Sequence, residues 1–145
     1  MAKVFTLSEA QVLLPVVEAL LLRAQSAAKR VSEFEDELQE VRQRIFIMGG
    51  TNVNVAEMAR RLAERDKANE EVQNILAEID SIGVKVKDLE KGLLDFPSTL
   101  NGKSILLCWM LGEKEIAYWH SPEAGYAGRK PVDERFGKTT RERLN

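Results

Sequence analysis

Apolar residues at Val17, Leu20, Ala24, Ala27, Val31, Phe34, Leu38, Val41, Ile45 and Met48 advance by three and four in near-alternation. That spacing draws one stripe down one side of an α-helix and holds it there for more than four heptads. A stripe of this length needs a partner as long as itself. Gly49-Gly50 ends the helix, and Thr51-Asn52-Val53-Asn54 is a polar reversal. A second stripe follows at Val55, Met58, Leu62, Arg65, Asn69, Val72, Leu76 and Ile79, fading at residues 81–83. A short connection between two long helices makes them antiparallel neighbours, so residues 7–82 are expected to form a helical hairpin resembling a coiled coil.

The hairpin has local irregularities. Thr6-Leu7-Ser8-Glu9 is a capping box that starts the first helix. Pro15 cannot donate and clashes with the preceding turn, so it is expected to open a separate, second segment. Arg65 and Asn69 occupy positions where the stripe wants apolar groups. Arg65 is expected to reach out to Glu33, Glu37 or Glu40, and Asn69 to fix the register. A buried functional polar site is the other reading of that pair. Residues 13–28 are apolar nearly all round, and residues 72–82 are similarly enriched, so this end of the hairpin should meet the rest of the fold. At the opposite tip, Ile45-Phe46-Ile47-Met48 points apolar groups in four directions. Two helices cannot cover all of them, whereas a second subunit could.

After Gly83 the period changes to two. Val84 and Val86 alternate with Lys85 and Lys87 as an edge strand, and residues 93–96 are a second strand ended by Pro97. Asn101-Gly102 is a turn signal, residues 104–111 are a central strand, and residues 115–120 return. Between the last two, Leu111-Gly112-Glu113-Lys114 fits a two-residue turn with glycine at its first central position. Such a turn pairs Trp109 with Ile116, Leu107 with Tyr118 and Ile105 with His120. With Phe96 paired near Ser104, Asp95 lies beside Ile105 on the same face as His120. One face then carries Leu94, Phe96, Leu106, Cys108, Met110, Ala117 and Trp119 and is assigned to the helices. The other carries Asp95, Trp109, Tyr118 and His120. Residues 121–131 are a glycine loop. The expected fold class is α+β: a long antiparallel hairpin packed at its open end on a small antiparallel sheet. It forms one domain over residues 1–132, with a charged tail at 133–145.

Composition narrows the function classes. With 145 residues, 44% hydrophobic and 30% charged, the chain can bury a core. A formal charge of −2 offers no concentrated basic surface for nucleic acid. Cys108 is the only cysteine, which forbids an intrachain disulfide and suggests a reducing compartment. No apolar run approaches the roughly 20 residues of a membrane span, and the start lacks the pattern of a signal peptide. Cytoplasmic is the expected location.

The chemistry-bearing residues cluster in residues 93–131, which hold both tryptophans, both tyrosines, the only cysteine and the only histidine. The turn register puts Cys108 and His120 on opposite faces, against a nucleophile–base or metal-ligand pair. With one histidine and no HExxH or CxxC spacing, no metal is expected, and without a GxGxxG or Walker loop no nucleotide cofactor either. Asp95 and His120 share a face, either as a structural hydrogen-bonded pair or as two groups sharing a ligand. Gly125 and Gly128 could let backbone N–H groups approach an anion beside the Arg129 guanidinium; equally, the glycines only fold the loop and Arg129 clamps Asp95 or a carbonyl. Asp95, Trp109, Tyr118, His120, Gly125, Gly128 and Arg129 are the candidate ligand-binding residues.

FTLSEAQVLLP at the start, GVKVKDLEKGLLDFP, LLCWMLGEKEIAYWH and the closing GYAGRKP resemble the prokaryotic family called domain of unknown function 2203. The resemblance implies a small bacterial cytosolic protein and no particular substrate, and it makes Asp95, Trp109, His120, Gly125 and Arg129 the matching motif positions. The leading expectation is a non-enzymatic module that forms homo-oligomers through its helices, without nucleic acid or membrane. The alternative is a small-ligand or anion-binding protein, with catalysis open, whose site lies near His120.

Overall fold

The capping box forms as written: Thr6 N–H donates to Glu9 Oε1 at 2.8 Å and Glu9 N–H to Thr6 Oγ1 at 3.1 Å. From it helix α1 (Leu7–Met48) runs without interruption, in a computed structural model that describes residues 3–49 and 54–137. The expected division at Pro15 does not occur. Pro15 is exposed, so the intrahelical bond it cannot make is lost on the solvent side, where water can satisfy the orphaned carbonyl. Asn54 caps helix α2 (Val55–Ile82), its Oδ1 accepting from Glu57 N–H at 3.0 Å. The expected reversal at 51–54 otherwise lies outside the described residues.

The chain divides into two compact units, and both helices contribute to each. The unit Leu22–Ile75 is the arm of the hairpin. Its antiparallel pairing is marked by ion pairs: Arg30 with Glu71 at 2.6 Å, Arg65 with Glu35 at 3.1 Å and Arg61 with Glu37 at 3.6 Å. Arg65 thus reaches outward as expected, but to Glu35 and to its neighbour Asp66. Asn69 does not enter the stripe. It is exposed and Ala68 is buried in its place, because a methyl group desolvates freely and an amide does not. Ala24, Ala27, Leu38, Ala68, Val72 and Ile75 are buried, while Val31, Phe34, Val41, Ile45, Met58 and Leu62 are only half-buried.

The second unit, Met1–Leu21 with Leu76–Asn145, holds a five-stranded antiparallel sheet in the order β1-β2-β3-β4-β5. The strands are β1 (Lys85–Asp88), β2 (Leu93–Leu100), β3 (Lys103–Met110), β4 (Tyr118–His120) and β5 (Lys130–Pro131). Strand β2 continues through Pro97, where the sequence suggested an end. The Pro97 carbonyl accepts from Phe5 N–H at 2.8 Å, so its ring nitrogen faces the side that β1 has already left, and no ladder bond is lost. Asn101 and Gly102, both with positive φ, make the tight hairpin to β3.

That hairpin pairs Leu100 with Lys103, so Phe96 meets Leu107 and Asp95 meets Cys108. This lies three residues from the expected pairing of Phe96 near Ser104, an odd shift that turns β3 over relative to β2. The next connection departs from expectation as well. Gly112 has the expected positive φ of 105°, but it is the second central residue of a turn closed by Glu113 N–H to Met110 O at 3.0 Å. The chain then stays out of the ladder until Tyr118. Glu113 Oε1 accepts from Met110 N–H, Trp109 Nε1–H donates to the Glu113 carbonyl, and Ile116 N–H donates to Gln11 Oε1 on α1. These contacts hold residues 111–117 as an irregular loop. Strand β4 consequently pairs Leu106 with His120, Leu107 with Trp119 and Cys108 with Tyr118. That is a shift of one residue from the two-residue-turn register, and a shift of one exchanges the faces.

With both registers set this way, Leu94, Phe96, Leu107, Trp109 and Trp119 share the core face, and Leu14, Val17, Leu21 and Ile79 of the helices are buried too. Phe5 meets Phe96 edge-on at 5.9 Å. The residues expected to be tail begin with a 3-10 turn at Glu134–Phe136, whose Phe136 ring lies 5.9 Å from Trp119. Among the described residues no helix is long and apolar enough to cross a membrane.

Candidate functional site

On the opposite face, pairing across the sheet aligns Lys85, Asp95, Cys108, Tyr118 and Pro131 in one row, and Pro97, Leu106 and His120 in the next. The sequence register separated Cys108 from His120 and paired Ile105 with His120. The structure overturns both, bringing the chain's only cysteine and only histidine to one face, beside Asp95. Trp109, expected with them, is fully buried on the core face instead.

His120 Nε2 lies 3.1 Å from Asp95 Oδ1, and the ligating atoms of Asp95, Cys108 and His120 all fall within 4.8 Å of one another. All three side chains are buried. The other ring nitrogen of His120, Nδ1, is 2.8 Å from the Ser121 carbonyl oxygen, which can only accept. Nδ1 must therefore carry a proton, and this leaves Nε2 turned toward Asp95 and Cys108. The Nε2–Oδ1 hydrogen bond then requires one further proton between imidazole and carboxylate. Cys108 reads this environment strongly: burial, followed by the negative charge of Asp95, pushes its thiol up to about 11. By itself the thiol is protonated at neutral pH and is a poor nucleophile.

Arg129 borders the cluster. Its guanidinium stacks over Tyr118 at 3.8 Å and reaches Tyr126 at 4.7 Å, and it forms an ion pair with Glu113 rather than with Asp95. Burial is the largest single influence and opposes its charge, but the Glu113 hydrogen bond and the attraction of Glu113, Cys108 and Tyr126 together outweigh it and raise its pKa. Arg129 Nη1 is buried without a hydrogen-bond partner. Gly125 has φ of 65°, a conformation that side chains resist, and its carbonyl accepts from Gly128 N–H at 3.1 Å. A Cβ on Gly128 would come within 2.5 Å of the Ala124 Cβ. Both glycines thus shape the turn that presents Arg129, and Gly128 N–H is used within it. The surface clefts lined by Phe5, Val12 and Val16, and by Thr6, Ser98 and Phe136, contain none of the clustered residues.

Sequence reasoning named Asp95, Tyr118, His120 and Arg129 but left out Cys108 and Glu113. The signal for Cys108 was present, since one register step would have moved it beside His120. Glu113 gave none, because a turn glutamate reads as solvated until its partners are known.

A family model described as an uncharacterized conserved protein, DUF2203, matches residues 3–132. The chain belongs to that family. No curated protein and no solved structure matches it.

Proposed function

We propose that this DUF2203 member is a non-enzymatic interaction module that associates with a second copy of itself through its helical arm, coiled-coil fashion, in the bacterial cytosol. The observation that carries the reading is the tip of the arm. Phe46 is 89% exposed, Ile47 79% and Val55 76%, and Met48 stands beside them. Large apolar side chains grouped this way mark an interaction surface rather than ordinary surface scatter. Exposed apolar residues come from both helices, and Val31, Phe34, Val41, Ile45, Met58 and Leu62 along the arm are only half-buried, which leaves apolar area for a second copy to cover. A two-fold contact lets one such surface cover its own copy, turning a two-helix arm into a four-helix core.

Light scattering across micromolar dilution tests this. The expected mass is a multiple of the 16.3 kDa chain, and Phe46→Glu should shift it toward the single chain. A parent that remains at one chain mass at every concentration refutes the proposal.

A second reading, a small-anion site on the sheet, is favoured by the unpartnered Arg129 Nη1 above Tyr118. A parent melting temperature that rises with phosphate, and does so no longer in Arg129→Ala, would replace the first reading.

A further inference from the structure

We propose that Asp95, Cys108 and His120 form a binding site for one divalent transition-metal ion of the zinc class, held by three protein ligands with a fourth position open. This goes beyond self-association and does not depend on it. The donors are a carboxylate oxygen, a thiol sulfur and an imidazole nitrogen, the three ligand types zinc takes at about 2.0–2.3 Å. Bonds of that length around a tetrahedral ion put neighbouring donors ~3.3–3.8 Å apart. Here Nε2 and Oδ1 are 3.1 Å apart and no pair exceeds 4.8 Å, so small side-chain rotations complete the geometry.

The orientation of His120 is an independent pointer. A ligating histidine donates its second N–H to a carbonyl or carboxylate, which fixes the tautomer and turns the free nitrogen toward the metal. Nδ1 donates to the Ser121 carbonyl in this way, at 2.8 Å. Charge also selects the ion. A thiolate, a carboxylate and a neutral imidazole around a dication sum to zero, which keeps the cost of burying the ion low. On binding, the thiol proton and the proton shared by His120 and Asp95 leave to water, and two sulfur- and oxygen-borne negative charges replace them as ligands. Calcium and magnesium prefer all-oxygen shells and should be rejected.

The experiment uses the full chain, stripped of metal with a chelator and titrated with Co2+ alone and then with Zn2+. Because the sequence contains one cysteine and one histidine, a thiolate-to-cobalt charge-transfer band has one source, Cys108. Expected are one equivalent of cobalt per chain, that band together with visible d–d bands, loss of both on adding Zn2+, and a melting temperature raised by Zn2+ but not by Mg2+. Cys108→Ser should abolish the band and weaken Zn2+ binding by more than about tenfold. Absence of the band in the folded parent with excess Co2+ overturns the proposal without recourse to any variant. So does Zn2+ binding of unchanged strength in a folded Cys108→Ser chain. Either result leaves the self-association reading untouched, since that is read from mass.

Discussion

His120 Nε2 and Asp95 Oδ1 meet at 3.1 Å across an intervening strand, both side chains buried and the imidazole pinned on its far side by the Ser121 carbonyl. The pair joins β2 to β4 over the top of β3, which backbone ladders cannot do. In metal-free buffer, His120→Ala leaves the Asp95 carboxyl buried without this partner. The expected loss is about 1–3 kcal/mol of unfolding free energy, measured by urea titration. A midpoint unchanged from the parent would mean that Asp95 finds water in the variant, and that the face is more open than its burial implies.

Cys108 makes stability depend on alkaline pH. Its thiol is raised from 9.0 to about 11 in the folded chain, so the protonated form is favoured by folding. The contribution is fully present below about pH 9, where both states hold the proton. It is lost as pH rises from there through about 11, because the unfolded chain releases its proton first. One proton limits the slope to about 1.4 kcal/mol per pH unit. Urea titrations of the parent and Cys108→Ala over this window should show a steeper decline in the parent; parallel declines would refute the assignment.

Two glycines with nearly the same positive φ should respond differently to alanine. Gly112 has φ of 105° and open space where a Cβ would stand, so Gly112→Ala carries backbone strain alone, about 1 kcal/mol or more. Gly83 has φ of 107°, and its Cβ would approach Lys3 Cβ at 3.0 Å and the Phe5 ring at 3.4 Å. Gly83→Ala adds a steric penalty against the segment that docks Phe5 on Phe96, so its melting temperature should fall further than that of Gly112→Ala. The reverse order would show that Phe5 yields freely.

Much of this fold can be read from residue spacing, because helix stripes, caps and short hairpins are local. The burial of Val17, Leu20, Ala24, Ala27 and Leu38 follows from steps of three and four, and the cap at Thr6 and Glu9 from four adjacent residues. The turn at Asn101-Gly102 and the positive φ of Gly112 are likewise properties of the residues that hold them. Pro15 and Pro97 are different. Whether a proline ends an element depends on which side its missing N–H faces, and that is set by solvent in one case and by Phe5 in the other.

The site lay beyond local reading for the same kind of reason. Residue types, the expected register and the glycine loop marked Asp95, Tyr118, His120 and Arg129 as the group to watch. Which groups meet was decided by the β2–β3 pairing together with how residues 111–117 leave the ladder, and the latter path is held by Gln11, more than a hundred residues away in sequence. A hydrogen bond from Ile116 to a helix side chain carries no periodicity and leaves no mark in either segment. Yet it belongs to the contacts that shift β4 by one residue against β3 and bring Cys108 and His120 onto one face, while the β2–β3 pairing set at Asn101-Gly102 turns Trp109 to the core. Side chains alternate strictly along a strand, so a single step of register, settled only in three dimensions, converts two separated groups into a candidate site.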